Sequence, residues 1–271
     1  MSQPWTPRGF IGVVHLPPMP GDPACDEPNF DACLRWARRD AQRLVDGGVD
    51  AIIVENFGSA PFARGTAEQP APPQHLAAIT LAVAQTLELG VPVGVNVLRN
   101  DAMAAMGIAA ATGAHFIRVN VHVGAYVTDQ GLIQGRAYET LRYRRALQAQ
   151  HINILADVRV KHATPVAPVD IATEVGDCLL RGGADAVIVT GSGTGKPVDL
   201  ELLRDVRRAA QSGPVFIGSG MTPERAITLG PLVQGAIVGT WIKENGDVRA
   251  PVDVDRVRAM AAALRDVLHA S

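Results

Sequence analysis

Cysteine is scarce in this chain of 271 residues, with only Cys25, Cys33 and Cys178, irregularly spaced. That excludes a disulfide framework and a CxxC-type zinc site, and it points to a reducing compartment. Aromatic residues make up only 4% against 47% hydrophobic residues, so a core must be built from aliphatic and small side chains. No apolar run approaches the roughly 20 residues that a membrane-spanning helix needs. The N-terminal stretch MSQPWTPRG has no apolar segment that could act as a secretion signal. Charge of one sign is also lacking. The formal net charge is −2 with no long like-charge block, so the chain offers no basic field for nucleic acid or an anionic membrane. HExxH, G-x-S-x-G and EF-hand motifs are all missing. A cytoplasmic protein without nucleic-acid partners or a transmembrane segment is expected.

What is present is a regular alternation. Short β-branched runs stand at Phe10 to His15, Asp50 to Glu55, Pro92 to Leu98, His115 to Val121, Ile152 to Val158, Asp185 to Thr190, Val215 to Gly218 and Ala236 to Gly239. Helical patterns lie between them, near 30–46, 73–89, 101–112, 137–150, 169–181, 200–210 and 223–229, with a last one near Val254 to His269. Eight βα units predict an α/β fold, a single (β/α)8 TIM barrel spanning 1–271 as one domain. Loop lengths argue the same way. Helix-to-strand links are short and marked by glycine, whereas Leu16 to Asn29, Asn56 to Pro72 and His122 to Arg136 are long strand-to-helix links. Elaboration on one face is what a barrel shows at its C-terminal, active-site end. The octapeptide GGVDAIIV at 47–54 returns as GGADAVIV at 182–189. Half-barrel symmetry and simple reuse of a helix-to-strand turn both explain the echo.

The stretch Val215 to Thr240 reads as a phosphate grip. Two apolar runs end in Gly218-Ser219-Gly220 and Gly239-Thr240, with a helix opened by Thr222 and Pro223 between them. In a barrel, backbone N–H groups after the seventh and eighth strands attract an anion.

Polar residues collect at the other strand ends: His15, Glu55, Asn56, Asn96, Arg118, Asn120, His122 and Asp157. Alternation places Arg118, Asn120 and His122 on one side of their strand, and Asp157 with Arg159 if that strand stays extended. Buried charges must be paired, so Arg118 and Asp157 are expected to meet, and a core ion pair explains those two without catalysis. Lys161 follows in ADVRVKHA, where it could bind an anion, donate a proton or form a Schiff base. His15 and His122 could exchange protons near neutrality, while His75, His151 and His269 occupy helix or turn positions. The loop from Thr190 to Lys196 fails the P-loop pattern, with Thr190 in place of the first glycine and Pro197 after the lysine. It reads as a glycine-rich loop from which Ser192 or Thr194 could reach a ligand. No cofactor is predicted, and a divalent metal would have only the scattered set His15, Glu55, His122 and Asp157.

Taken together, GVVHLPPMPG at 12–21, GVDAIIVENFGSAPF at 48–62, GVNVLRND at 94–101, IRVNVHVGAYVTDQG at 117–131, ADVRVKHA at 156–163, and GSG followed by GTWIKENG resemble the BtpA/SgcQ family. The resemblance runs through nearly the whole chain, in order. It implies a ribulose-phosphate-binding type of barrel. It also implies one of two settings, accumulation of photosystem I proteins at the thylakoid surface or sugar and nucleoside metabolism. Typical members of the family carry Asp where this chain has Ser59.

Two functions of different kind are therefore expected to compete. The first is an enzyme of a phosphorylated small metabolite, a sugar phosphate or a nucleoside or ribosyl phosphate. In it Gly218, Ser219, Gly220, Gly239 and Thr240 hold the phosphate, and Glu55, Asp157 and His15 or His122 move protons. Arg118, Lys161, Asn96 and Asn120 would stabilise an enolate-like or oxyanionic intermediate. Isomerisation or lyase/aldolase chemistry fits that set, and paired carboxylates also suit glycosidic cleavage. The second is a non-catalytic assembly or stability factor for a membrane complex such as photosystem I. Association into a homo-oligomer is expected by analogy with barrels of this type.

Overall fold

The computed structural model describes residues 5–26 and 28–268. Met1 to Pro4 of the N-terminal stretch, and His269, lie outside the described residues. Eight parallel strands close into a barrel: β1 (Gly9–His15), β2 (Ala51–Glu55), β3 (Val93–Asn96), β4 (Phe116–Val119), β7 (Asn153–Val158), β9 (Ala186–Val189), β10 (Val215–Ile217) and β11 (Gly235–Val238). Each coincides, within a few residues, with a run expected from sequence. Around them lie α1 (Phe30–Gly47), α2 (Pro73–Leu87), α3 (Ala102–Thr112), α4 (Ala137–Ala146), α5 (Ile171–Gly176), α6 (Leu200–Ala210), α7 (Pro223–Leu229) and α8 (Val254–Leu268).

Local chemistry explains the helix boundaries. Asn29, Asp101, Asp170, Asp199 and Thr222 each accept a backbone N–H of the first turn from their side chain, which satisfies donors that a helix start leaves unpaired. The GGxDA echo has a similar local cause. Asp50 Oδ2 accepts Phe10 N–H at 2.7 Å, and Asp185 Oδ2 accepts Ile154 N–H at 2.8 Å. In both copies the aspartate ties the start of its strand to the strand that precedes it in the barrel. The echo thus marks one local solution used at both strand starts, which either origin of the repeat would give.

The side-chain period of two builds the interior. Ile11, Val13, Ala51, Ile53, Phe116, Leu155, Ala186, Ile188, Phe216 and Ile237 pack together inside the barrel, and Trp5 stacks on Phe116 at its lower end with ring centroids 4.5 Å apart. A larger aliphatic layer lies between strands and helices. Two residues further along each strand, the same inward direction reaches His15, Glu55, Arg118, Asp157, Thr190, Gly218 and Gly239. The barrel is thus plugged by hydrocarbon below and lined by polar groups at its C-terminal mouth.

One loop holds more structure than sequence suggests. The link between β4 and α4 contains a hairpin of β5 (Ala125–Thr128) and β6 (Gly131–Gln134). β5 also pairs antiparallel with β8 (Ala163–Pro165), from the loop after β7. Sequence shows this region as loop because AYVT and GLIQ are partly exposed and form no continuous apolar run like those of the barrel strands. Tyr126 of β5 donates its hydroxyl hydrogen to the buried Glu174 of α5, fixing the small sheet against the barrel.

Candidate active site at the barrel mouth

Register assembles the first half of the site. His15 pairs with Glu55 and Glu55 with Asn96 across β1, β2 and β3, so these side chains form one row. His15 Nε2 stands 3.1 Å from Glu55 Oε1, and Asn96 Nδ2 donates to Glu55 Oε2 at 2.9 Å. All are buried. Gly239 makes room for the row, since a Cβ there would stand 2.6 Å from the His15 ring.

The second half is a carboxylate held by three donors. Arg118 Nε and Nη2 reach Asp157 Oδ1 and Oδ2, each at 3.0 Å, and Asn120 Nδ2 donates to Oδ2 at 2.9 Å. The bidentate geometry matches guanidinium to carboxylate in shape as well as charge. Here the expected pair is found. Gly218 stands over it, with the position of an added Cβ 3.3 Å from Arg118 Nη2 and 2.5 Å from Ile188.

A cavity of about 160 Å³ opens between the two halves. Its walls include His15, Glu55, Arg118 and Lys161, together with Thr194, Gly195, Gly218–Thr222, Gly239–Trp241 and Gly246. Lys161 is secured at its backbone, where its N–H donates to Thr190 Oγ1 at 3.1 Å and its carbonyl accepts from Arg99 Nη2 at 2.8 Å. Arg99 is itself buried, and its role was not read from sequence. The available signal was an arginine three residues past Asn96, following an apolar strand.

Several expectations need correction. His122 does not join the mouth. It is buried, with Nε2 2.8 Å from the Gly182 carbonyl, because the chain leaves the strand after Val119 and turns the ring toward the segment after α5. Arg159 does not continue the alternation of Asp157. Its φ of 50° turns it outward, where Nε pairs with Glu174 at 3.2 Å. Ser192 is exposed on an outer groove, and Thr194 lines the cavity in its stead. The Ser219 hydroxyl is engaged within the protein, accepting Gly191 N–H at 2.7 Å and donating to the Lys196 carbonyl at 3.1 Å. Asn56 clamps the N–H and carbonyl of Leu98. Ser59, where the family resemblance implies Asp, is buried and donates to Asp22 at 2.8 Å. Among the described residues no group of three or more His, Cys, Asp or Glu is arranged to hold a metal ion.

Electrostatics follow from this packing. Burial lowers the His15 pKa and leaves the ring neutral near pH 7. Burial alone would raise that of Glu55, but the hydrogen bond and attraction of His15, with the Arg118 and Lys161 charges, hold the carboxyl well below its usual range. Burial and then the Arg118 charge bring Lys161 down to about 8, against the opposing pull of Glu55 and Asp157. An acid-lability profile should result. His15 is a base with a lowered folded pKa, so the unfolded chain takes up its proton first and stability falls once pH drops below 6.5. Glu55 has a lowered folded pKa too, so its contribution is present above 4.5 and is lost as pH falls further. Urea unfolding from pH 7 to pH 3 should show both losses, and Glu55→Gln should remove the lower one, on the order of 2 kcal/mol. An unchanged slope below pH 4.5 in that variant would refute the assignment.

Fold and site together define a (β/α)8 barrel with a buried ionic cluster at its C-terminal mouth. The chain belongs to the BtpA family, whose model matches residues 6–266. It is 45% identical over 264 residues to the photosystem I biogenesis protein BtpA of a Synechocystis strain, covering 97% of this chain and 90% of that protein. Solved structures share the fold at low identity. A thiamine phosphate pyrophosphorylase from Pyrococcus furiosus superposes with a TM-score of 0.57 at 15% identity, covering 96% of each chain. A 2-keto-3-deoxy-6-phospho-gluconate aldolase from Zymomonas mobilis gives 0.56 at 16% identity, covering 96% of this chain and 93% of that one. At such identity the likeness concerns architecture. Among the described residues no helix is long and apolar enough to cross a membrane.

Proposed function

We propose that the protein is an enzyme acting on a phosphorylated small metabolite, a sugar phosphate or a nucleoside or ribosyl phosphate, by acid–base chemistry of the isomerase or lyase/aldolase kind. The observation that carries this reading is the composition of one cavity wall. Glycine-rich turns after β10 and β11 face the same space as Lys161, Arg118, Glu55 and His15. A phosphate seated at Gly218–Gly220 and Gly239–Thr240 would meet backbone donors there. Because the Ser219 hydroxyl is engaged elsewhere, main-chain N–H groups and Thr240 carry that role. The remainder of the substrate would reach Lys161 and Arg118, which supply positive charge for a developing oxyanion. Glu55, ionised and backed by neutral His15, is the proton acceptor on the opposite side, with Asn96 fixing its second oxygen. Asp157 and Asn120 hold Arg118 in position.

The name of the Synechocystis relative favours a second reading, assembly of a membrane complex, which would require no ligand in the cavity. A melting screen separates the two. Sugar phosphates and phosphorylated nucleosides at about 100 times Kd should raise stability by about 2.7 kcal/mol, several degrees in Tm. Lys161→Met should lose that ligand-dependent rise. If no phosphorylated compound shifts the melt, and Lys161→Met sustains the cellular phenotype of the wild type, the enzymatic reading is wrong.

A further inference from the structure

We infer that Lys161 forms an imine with its substrate, so that the phosphorylated metabolite taken by this cavity is an aldehyde or a ketone. The inference rests on the phosphate-site reading above and adds the class of the reacting group.

The distribution of partners in the mouth carries it. Glu55 is already bound by His15 and Asn96, and Asp157 by Arg118 and Asn120. Among the described residues Lys161 makes no ion pair, although it is fixed at its backbone on both sides. The Arg118 and Arg99 guanidiniums both disfavour a further positive charge there. An ammonium placed only to balance charge would be paired, as Lys243 is with Asp40 at 2.9 Å. Lys161 also lines both the mouth cavity and the groove outside it, which contains Arg159, His162 and Arg225, so the residue stands at the boundary between the two spaces.

With burial and Arg118 lowering its pKa to about 8, roughly a tenth of Lys161 is free amine at pH 7 and about half at pH 8. The chemistry needs no outside oxidant or reductant. The Nζ lone pair attacks the carbonyl carbon, a C–N bond forms, and the C–O bond then breaks. The two amine hydrogens leave with the oxygen as water, giving C=N. A proton taken up by that imine nitrogen from solvent gives the iminium, which would draw electrons from an adjacent bond and so serve both enolisation and carbon–carbon cleavage.

The sequence makes the test clean, because it contains only three lysines, Lys161, Lys196 and Lys243. Lys196 is exposed and serves as an internal control, while Lys243 is fully buried. The intact protein would be treated with pyridoxal 5′-phosphate, an aldehyde carrying phosphate, then with borohydride, and the reduced adduct mapped by mass spectrometry. Lys161 should be labelled at least about tenfold faster than Lys196, with a pH midpoint near 8. Inorganic phosphate should slow the labelling, and Lys161→Arg, confirmed folded by its melting curve, should abolish it. Equal labelling of Lys161 and Lys196, or a midpoint for Lys161 near 10.5, overturns the inference. Should phosphorylated compounds raise Tm while Lys161 takes no label, the imine fails and the phosphate reading stands. Equally fast labelling by pyridoxal without phosphate would leave the imine and overturn the phosphate reading.

Discussion

Asp157→Ala is expected to cost about 3–5 kcal/mol of folding stability, because it leaves the Arg118 guanidinium buried without a counter-charge. Arg118 cannot escape by losing its proton, because a guanidinium stays charged at ordinary pH even without a partner. The side chains of the pair are 4% and 0% exposed, so water cannot replace the lost carboxylate. Asn120 would lose its acceptor as well. Urea unfolding at pH 7, with m-values to confirm two-state behaviour, measures the loss. The double variant Arg118→Met with Asp157→Leu is the informative companion. Apolar replacement of a whole buried pair is often neutral or stabilising, so it should recover most of the stability. If the pair served only the core, that variant would also keep its ligand-dependent rise in Tm. Because Arg118 lines the cavity, stability should return while the ligand response stays lost. A single-variant cost below about 1 kcal/mol, the level of exposed ion pairs, would refute the buried-pair argument.

The same period of two explains which parts of this site could be read from sequence. Val13 to His15, Ile53 to Glu55 and Leu155 to Asp157 each step from a hydrocarbon side chain to a polar one on the same strand face, and the step is visible in the order of residues alone. His122 and Arg159 failed because they lie beyond the last paired residue, where alternation no longer fixes direction. His122 follows a strand ending at Val119, and Arg159 follows one ending at Val158, with a left-handed backbone. For Ser219, the engagement of its hydroxyl was hidden for another reason. Its place at the end of β10 was legible, but its hydroxyl is consumed by the loop after β9, a contact 28 residues away for Gly191. The hairpin of β5 and β6 was hidden because AYVT and GLIQ are partly exposed and lack the continuous apolar run of the buried barrel strands, and its partner β8 comes from a different loop. Strand ends were thus readable, while contacts between loops depended on closure of the barrel.

Asp40→Leu should be the second large loss, again about 3–5 kcal/mol at pH 7, and its pH dependence should differ from that of Asp157→Ala. Asp40 of α1 and Lys243, just after β11, have side chains with no solvent exposure and meet at 2.9 Å. Asp40 also accepts Val252 N–H at 3.3 Å, so it anchors both ends of the segment that carries Lys243. Removing the carboxylate leaves a buried ammonium, which, unlike a guanidinium, can discharge. Burial already lowers the Lys243 pKa in the presence of Asp40, and without it the value must fall further. A base with a lowered folded pKa weakens the folded state at pH values below its unfolded value of 10.5, and the penalty shrinks as pH rises toward that value. Asp40→Leu should therefore regain stability between pH 7 and pH 9.5 relative to wild type, whereas Asp157→Ala should not. Urea unfolding of both variants at the two pH values tests this, and parallel behaviour would refute it. The consequence reaches the cavity, since Thr240, Trp241 and Gly246 on its wall flank Lys243 in the chain. Loss of the anchor should weaken phosphate-ligand binding even at pH 9.5 if the segment shifts. Lys243→Met with Asp40→Leu, which leaves no buried charge, should restore that wall together with the fold.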